Sequence, residues 1–221
     1  MKKILIVAPH PDDETLGCGG SILKFKKNGY KVFWLIVTSS SKKSGFQKKF
    51  IESRKKEINK VSKFYKFDEV ISLNFPSLLL DDLPFLKIVT RFNNVIKRLK
   101  PSIIFTPFIS DVHLDHFYCT KAVMACTKSF RNNNIKEIVM YETVSETNFN
   151  FLNKEQFNPN LFIDITSFLN GKITALEIYK SEIAKHPFPR NKKNIQTLAT
   201  LRGSQSGYHY AEAFQSVFRR K

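Results

Sequence analysis

Lys3-Ile4-Leu5-Ile6-Val7-Ala8-Pro9-His10-Pro11-Asp12-Asp13-Glu14-Thr15-Leu16-Gly17-Cys18-Gly19-Gly20 stands near the start of the chain. Residues 3–8 form a short apolar run bounded by proline, which reads as a buried strand. The run stops abruptly at an imidazole and three carboxylates, which places charged groups just past the carboxyl end of that strand. Gly17, Gly19 and Gly20 predict a turn, and Ser21 to Asn28 a helix closed by Gly29.

The same alternation continues outward. Val32 to Thr38 reads as a second strand, and the polar stretch 39–46 as a loop. Residues 47–65 are expected to be helical, and 69–74 to form a third strand. The segment 75–84, with Pro76 and Pro84, is expected to loop before a helix over about 85–99. Pro101 breaks that helix ahead of a fourth strand, Ile103 to Thr106. His113 to Phe130 then reads as a helix and Ile138 to Tyr141 as a fifth strand. Strands alternating with helices predict an α/β, three-layer, Rossmann-like fold with a mostly parallel central sheet and helices on both faces. The chain is expected to be one domain over 1–221, with a less regular part from about 145. There, Phe162 to Ile165 reads as a strand, and 167–184 and 191–202 as helices.

In such a sheet, ligands bind beyond the carboxyl ends of the strands. Asp111-Val112-His113-Leu114-Asp115-His116 follows the fourth strand as His10-Pro11-Asp12-Asp13-Glu14 follows the first. His113 and His116 are three residues apart, so at a helix start they share one face. Either segment alone is weak, since a lone His is commonly a surface or core residue and Asp12 or Asp13 could merely cap a helix. Together they offer imidazoles and carboxylates at one sheet edge, and two His with one carboxylate are a common catalytic zinc set. Gly17, Gly19 and Gly20 do not form G-x-G-x-x-G, and the acidic run beside them would repel a pyrophosphate.

The chain has 221 residues, a net charge of +17 and 42% hydrophobic residues. The charge leaves two readings: lysines spread over solvated faces, or a field that favours an anionic ligand. No segment approaches the ~20 apolar residues that span a bilayer, and the short apolar run is no signal-peptide core. Cys18, Cys119 and Cys126 form no C-x-x-C pair. A cytoplasmic protein with reduced thiols is expected.

The run His10 to Gly20 resembles the signature of the PIG-L/LmbE deacetylase family. Phe105-Thr106-Pro107 with Ser110 to His116 resembles that family's second motif. The likeness continues in order through Arg54-Lys55-Lys56-Glu57, Tyr141-Glu142, Pro159-Asn160, Ile163-Asp164-Ile165, Arg202-Gly203 and Tyr210 to Phe214. It implies an LmbE-like fold and a zinc-dependent hydrolase that removes an N-acetyl group from an N-acetylglucosamine-type sugar, with one Zn2+ per chain. It implies that His10, Asp13 and His116 hold zinc and that Asp12 is the general base. His113 would polarise or protonate the substrate on the oxyanion side, and Asp115 would fix the tautomer of a histidine. Two departures stand out. Tyr65-Lys66-Phe67 occupies the place of a family glycine, and Asp111 that of a tyrosine found in some sugar deacetylases.

Arg54, Asp81 and Asp82 are candidate substrate-binding residues. Pairing of Arg54 with Glu57, and loop capping by the aspartates, are the structural readings beside it. Tyr208, His209, Tyr210 and Glu212 either close over the site or pack as a tail. Glu14 is expected to order the turn or reach back to a neighbour. The expected partner is a small N-acetyl sugar, anionic if the charge is functional. A free sugar, a glycoside, a sugar nucleotide and a glycan intermediate stay open, as does a homo-oligomer. A hydrolase of another amide or phosphoester competes, although a two-metal phosphoesterase would need more bridging carboxylates. A nucleic-acid-binding protein on a degenerate enzyme fold also competes. No nucleic-acid motif accompanies the charge, and the aromatics do not interleave with a basic stripe, so no nucleic-acid partner is expected.

Overall fold

The computed structural model describes residues 2–41, 44–152 and 155–220. Seven strands form one sheet: β1 (Lys3–Ala8), β2 (Lys31–Ser39), β3 (Glu69–Pro76), β4 (Ile103–Pro107), β5 (Glu137–Tyr141), β6 (Leu161–Asp164) and β7 (Ala211–Arg219). Their order is β3-β2-β1-β4-β5-β7-β6. The first five are parallel, whereas β7 runs antiparallel to both β5 and β6. The expected α/β fold with a mostly parallel sheet is therefore the observed one.

Helices cover both faces. α3 (Phe85–Leu99) and α4 (Leu114–Cys126) bury Ile88, Phe92, Ile96 and Val123 against Leu5, Val7 and Leu35. α1 (Asp13–Lys27), α2 (Lys48–Tyr65) and α5 (Leu169–Leu176) pack Cys18, Ile22, Val61 and Ala175 against Ile4, Ile6 and Trp34. Alternate residues of β1 thus face opposite layers, so the strand is apolar on both sides and reads as a continuous run. α6 (Lys192–Ser206) joins α5 in a third cluster around Ile173, Ile195 and Ala199. Among the described residues, no helix is long and apolar enough to cross a membrane.

Some element boundaries differ from expectation. α1 begins at Asp13, not Ser21, and runs through the glycines. A Cβ on Gly17 would lie 2.2 Å from Tyr141 Cδ2, and one on Gly20 2.7 Å from Ile165 Cγ2. These glycines therefore serve close packing of a helix, not a turn. α5 stops at Leu176, far short of 184, and the chain then proceeds through turns. Residues 211–219, where the sequence reading sets no element, form the strand β7 that ties β5 to β6.

β1 and β4 are parallel neighbours at the point where the strand order reverses. Chain leaving β1 enters α1 on one face, and chain leaving β4 enters α4 on the other. The two loops diverge and open a crevice between them, the usual ligand position in such sheets. Both acidic, histidine-bearing motifs line that crevice.

Candidate active site and metal centre

The turn after β1 is held from several sides. Thr38 anchors the Pro9 carbonyl through its backbone N–H at 3.0 Å and its hydroxyl at 2.8 Å. The His10 backbone N–H donates to Asp13 Oδ2 at 2.8 Å. Asp13, in the first turn of α1, lies where a carboxylate is favoured by the helix dipole. Asp12 adopts φ 138°, a conformation that non-glycine residues rarely take. Such backbone costs about 1–3 kcal/mol and persists only where its surroundings enforce it. Glu14 supplies part of the enforcement. Its carboxylate accepts from the Asp12 backbone N–H at 3.0 Å, the Thr15 hydroxyl at 2.6 Å and the Tyr179 hydroxyl at 2.8 Å.

His10, Asp13 and His116 converge. One donor atom from each lies within 4.8 Å of the others. Asp13 Oδ2 is 3.4 Å from His10 Nδ1 and 3.3 Å from His116 Nε2. The far nitrogen of each imidazole is bound to its own carboxylate: His10 Nε2 to Asp115 Oδ2 at 2.9 Å, and His116 Nδ1 to Asp111 Oδ2 at 2.7 Å. A carboxylate acceptor fixes the ring proton on its side and turns the other nitrogen's lone pair inward. His116 Nε2 is buried without a hydrogen-bond partner. A buried polar atom needs one, and a divalent cation between the three donors would supply it. The donor set of two imidazoles and one carboxylate therefore fits a divalent metal such as zinc.

His10, His113 and Asp115 also come within 4.8 Å of one another. Asp115 and His113 Nδ1 already have other partners, which makes this the weaker set. Asp115 accepts from Leu78 and Leu80 N–H groups at 2.9 and 3.2 Å besides His10, and His113 Nδ1 accepts from the Asp115 N–H at 3.0 Å.

The electrostatics divide the histidines. Burial pulls the His10 pKa down, but its bonds to Asp115 and Asp13 outweigh that and raise it to about 9. His116 is likewise raised against burial by Asp13 and Asp111. Asp13 is held well below the carboxylate range, against burial, by His116 and His10. His113 goes the other way: burial, then the neighbouring His10 and His116, push it down to about 4. His113 is thus a neutral ring at pH 7, and with Nδ1 accepting, its proton sits on Nε2.

A cavity of about 190 Å3 opens beside this cluster, with His10, Asp12 and His113 in its wall. The other walls include Phe46, Phe50, Arg54, Glu182 and Arg190. Arg190 was not singled out in the sequence, yet it touches the Asp12 carboxylate at 2.7 Å and also binds Glu182, Glu146 and Ser145. Its only signal is a cation at the end of the proline-bearing His186-Pro187-Phe188-Pro189 segment. Asp111, noted only as a departure, is the carboxylate that orients His116.

Arg54 lines the cavity as expected, but its guanidinium is engaged by the Pro11 carbonyl, Glu57 and Glu182. Asp81 and Asp82 are exposed and lie outside the cavity wall, which their loop enters through Ser77 and Leu78. Tyr208 and His209 are exposed and do not close over the site. Glu212 is structural: it accepts from the Gly20 and Ser21 N–H groups and pairs with buried Lys172.

The family model for PIG-L: GlcNAc-PI de-N-acetylase matches residues 5–127, which include both motifs. The chain belongs to the PIG-L family. This PIG-L protein is 25% identical over 98% of its length to the diacetylchitobiose deacetylase of Thermococcus kodakarensis, covering 84% of that relative. Its fold superimposes on the conserved protein TT1542 from Thermus thermophilus with a TM-score of 0.79, at 25% identity and 100% and 97% coverage of the two chains. It matches the N,N'-diacetylchitobiose deacetylase from Pyrococcus horikoshii with a TM-score of 0.78, at 20% identity and 98% and 84% coverage.

Proposed function

We propose that this PIG-L protein is a zinc-dependent hydrolase that removes the N-acetyl group from an N-acetylglucosamine-type sugar and releases acetate. The observation that carries the reading is the convergence of His10 Nδ1, Asp13 Oδ2 and His116 Nε2, each imidazole oriented by its own carboxylate, beside an Asp12 that faces a cavity. The relative from Thermococcus kodakarensis, named for deacetylation of diacetylchitobiose, supports the sugar class.

His10, Asp13 and His116 would hold the zinc, which would supply Lewis acidity toward an amide carbonyl and make water nucleophilic near neutral pH. The chain's own residues supply the rest. Asp12 adjoins a ligand in sequence, yet its carboxylate is bound by Arg190 rather than by the cluster. In this reading it accepts a proton from the attacking water and returns one to the departing amine nitrogen. Arg190 holds that carboxylate in position and, with Glu182 and Arg54, ties it to the Pro11 carbonyl. His113 acts as a neutral Nε2–H donor to the developing oxyanion, not as a protonated acid. Asp115 and Asp111 keep their hydrogen bonds to the histidines throughout. The three buried thiols fit a reduced, cytoplasmic setting.

The test is acetate release from a panel of N-acetylhexosamine derivatives by protein reconstituted with one equivalent of zinc. Activity is expected on at least one N-acetyl sugar. Asp12→Asn should keep the metal and lose about a hundredfold or more in rate, the usual scale of general-base catalysis. Zinc-loaded protein inactive on every N-acetyl sugar would refute the reading.

A further inference from the structure

We propose that the cavity receives one uncharged sugar ring, laid against the stacked side chains of Phe46 and Phe50; this rests on the deacetylase reading above. The sequence alone, with its net charge of +17, leaves an anionic substrate open. The cavity wall points elsewhere. Among the described residues it carries two guanidiniums, Arg54 and Arg190, and no lysine. Neither cation is free. Arg190 spends all three nitrogens on Asp12, Glu182, Glu146 and Ser145. Arg54 is paired with Glu182 and Glu57 and donates to the Pro11 carbonyl. A phosphate or carboxylate entering here would meet cations already neutralised, and the carboxylates of Asp12 and Glu182 beside them. The described surface lysines lie outside the wall, and exposed charges are screened within roughly 10 Å at 0.1 M salt.

The aromatic wall supplies what a neutral ring needs. Phe46 and Phe50 stack with centroids 5.1 Å apart at an interplanar angle of 16°. Phe50 and Arg54, four residues apart, share one face of α2, and the Arg54 guanidinium lies 5.2 Å from the Phe50 centroid. Phe50 thus contacts both Arg54 and Phe46. Both phenylalanines are half-buried rather than packed away. The C–H face of a pyranose is weakly positive and apolar, and the face of an aromatic ring is negative, so the two attract. Hydroxyl donors and acceptors in the same wall, Thr38, Ser40 and Ser77, suit the polar rim of a sugar.

The experiment compares kcat/KM of the zinc-loaded protein for N,N'-diacetylchitobiose and for N-acetylglucosamine 6-phosphate at low and high salt. The neutral sugar should be preferred, with no salt dependence. Phe46→Ala should raise KM for it about three- to tenfold with kcat little changed, the range of an aromatic contact, and Phe46→Tyr should restore it. A preference for the phosphorylated sugar that fades with salt would overturn the proposal, as would an unchanged KM in Phe46→Ala. Calorimetric binding of the same two sugars to zinc-loaded Asp12→Asn keeps the outcomes separable. If neither sugar is turned over, the binding preference still decides the nature of the cavity, while the deacetylase reading is decided by the full acetate-release panel.

Discussion

Replacing Asp111 by Asn changes one oxygen for an NH2 at a buried contact with a ligand histidine. Asp111 Oδ2 accepts from His116 Nδ1 at 2.7 Å, while Oδ1 accepts from the Thr147 hydroxyl at 2.6 Å. The carboxylate obliges His116 to keep its proton on Nδ1 and its lone pair on Nε2, toward Asp13. In Asp111→Asn the amide has two orientations. With NH2 toward His116 it donates to Nδ1, the ring proton moves to Nε2, and the lone pair is lost from the metal side. With the carbonyl toward His116 the tautomer survives, but a charge-assisted bond becomes a neutral one of roughly half the strength. Loss of such an orienting partner typically costs ten- to a hundredfold in metal affinity, about 1.4–2.8 kcal/mol. The fold should survive, because Asn is nearly isosteric and keeps a partner in Thr147. Competition with a chromophoric zinc chelator measures the affinity, and thermal unfolding of chelator-treated protein controls for structure. Zinc affinity within twofold of the parent, in a folded variant, would refute the claim that Asp111 sets the His116 tautomer.

Other consequences follow from the packing and the electrostatics. Gly17→Ala should lower Tm by about 2–12 °C, since its Cβ would lie 2.2 Å from the fully buried Tyr141 ring and overpacking costs about 1–3 kcal/mol; calorimetry checks this. Lys172→Met should destabilise the fold by about 3 kcal/mol by leaving buried Glu212 without its cation, with zinc content unchanged, as denaturant titration and metal analysis would show. With His10 raised to about 9 and His116 raised as well, zinc must displace protons at neutral pH. Zinc affinity should therefore climb with pH from neutrality through about 9, where His10 gives up its proton, and calorimetry in buffers of different ionisation enthalpy should detect proton release at pH 7. In chelator-treated protein the sign reverses for stability: the protonated His10 contributes fully below its ordinary 6.5, and that contribution disappears as pH rises toward 9.

The parallel core of the sheet was legible in the sequence because buried strands such as β1 are unbroken apolar runs between punctuating prolines and glycines. The two motifs were legible for the same reason: each begins where such a run stops. Gly17, Gly19 and Gly20 misled because glycine marks both turns and close helix packing, and Tyr141 and Ile165, which demand their small size, are remote in the chain. β7 was missed because its residues alternate weakly and gain their partners from β5 and β6 far upstream. Arg190 was hidden for a related reason. Nothing local distinguishes it from other basic residues; only the fold brings it across 178 positions to Asp12. Asp81 and Asp82 illustrate the converse, since loop membership says nothing about which side chains face a cavity.

The central claim is that His10, Asp13 and His116, and not Asp12, hold one divalent metal. Metal content by plasma mass spectrometry tests it most directly, on zinc-reconstituted parent, His116→Ala, Asp13→Asn and Asp12→Asn proteins after gel filtration. One zinc per chain is expected in the parent and in Asp12→Asn, and a strongly reduced content in His116→Ala and Asp13→Asn. Full zinc in His116→Ala, or zinc lost from Asp12→Asn but kept by Asp13→Asn, would contradict it.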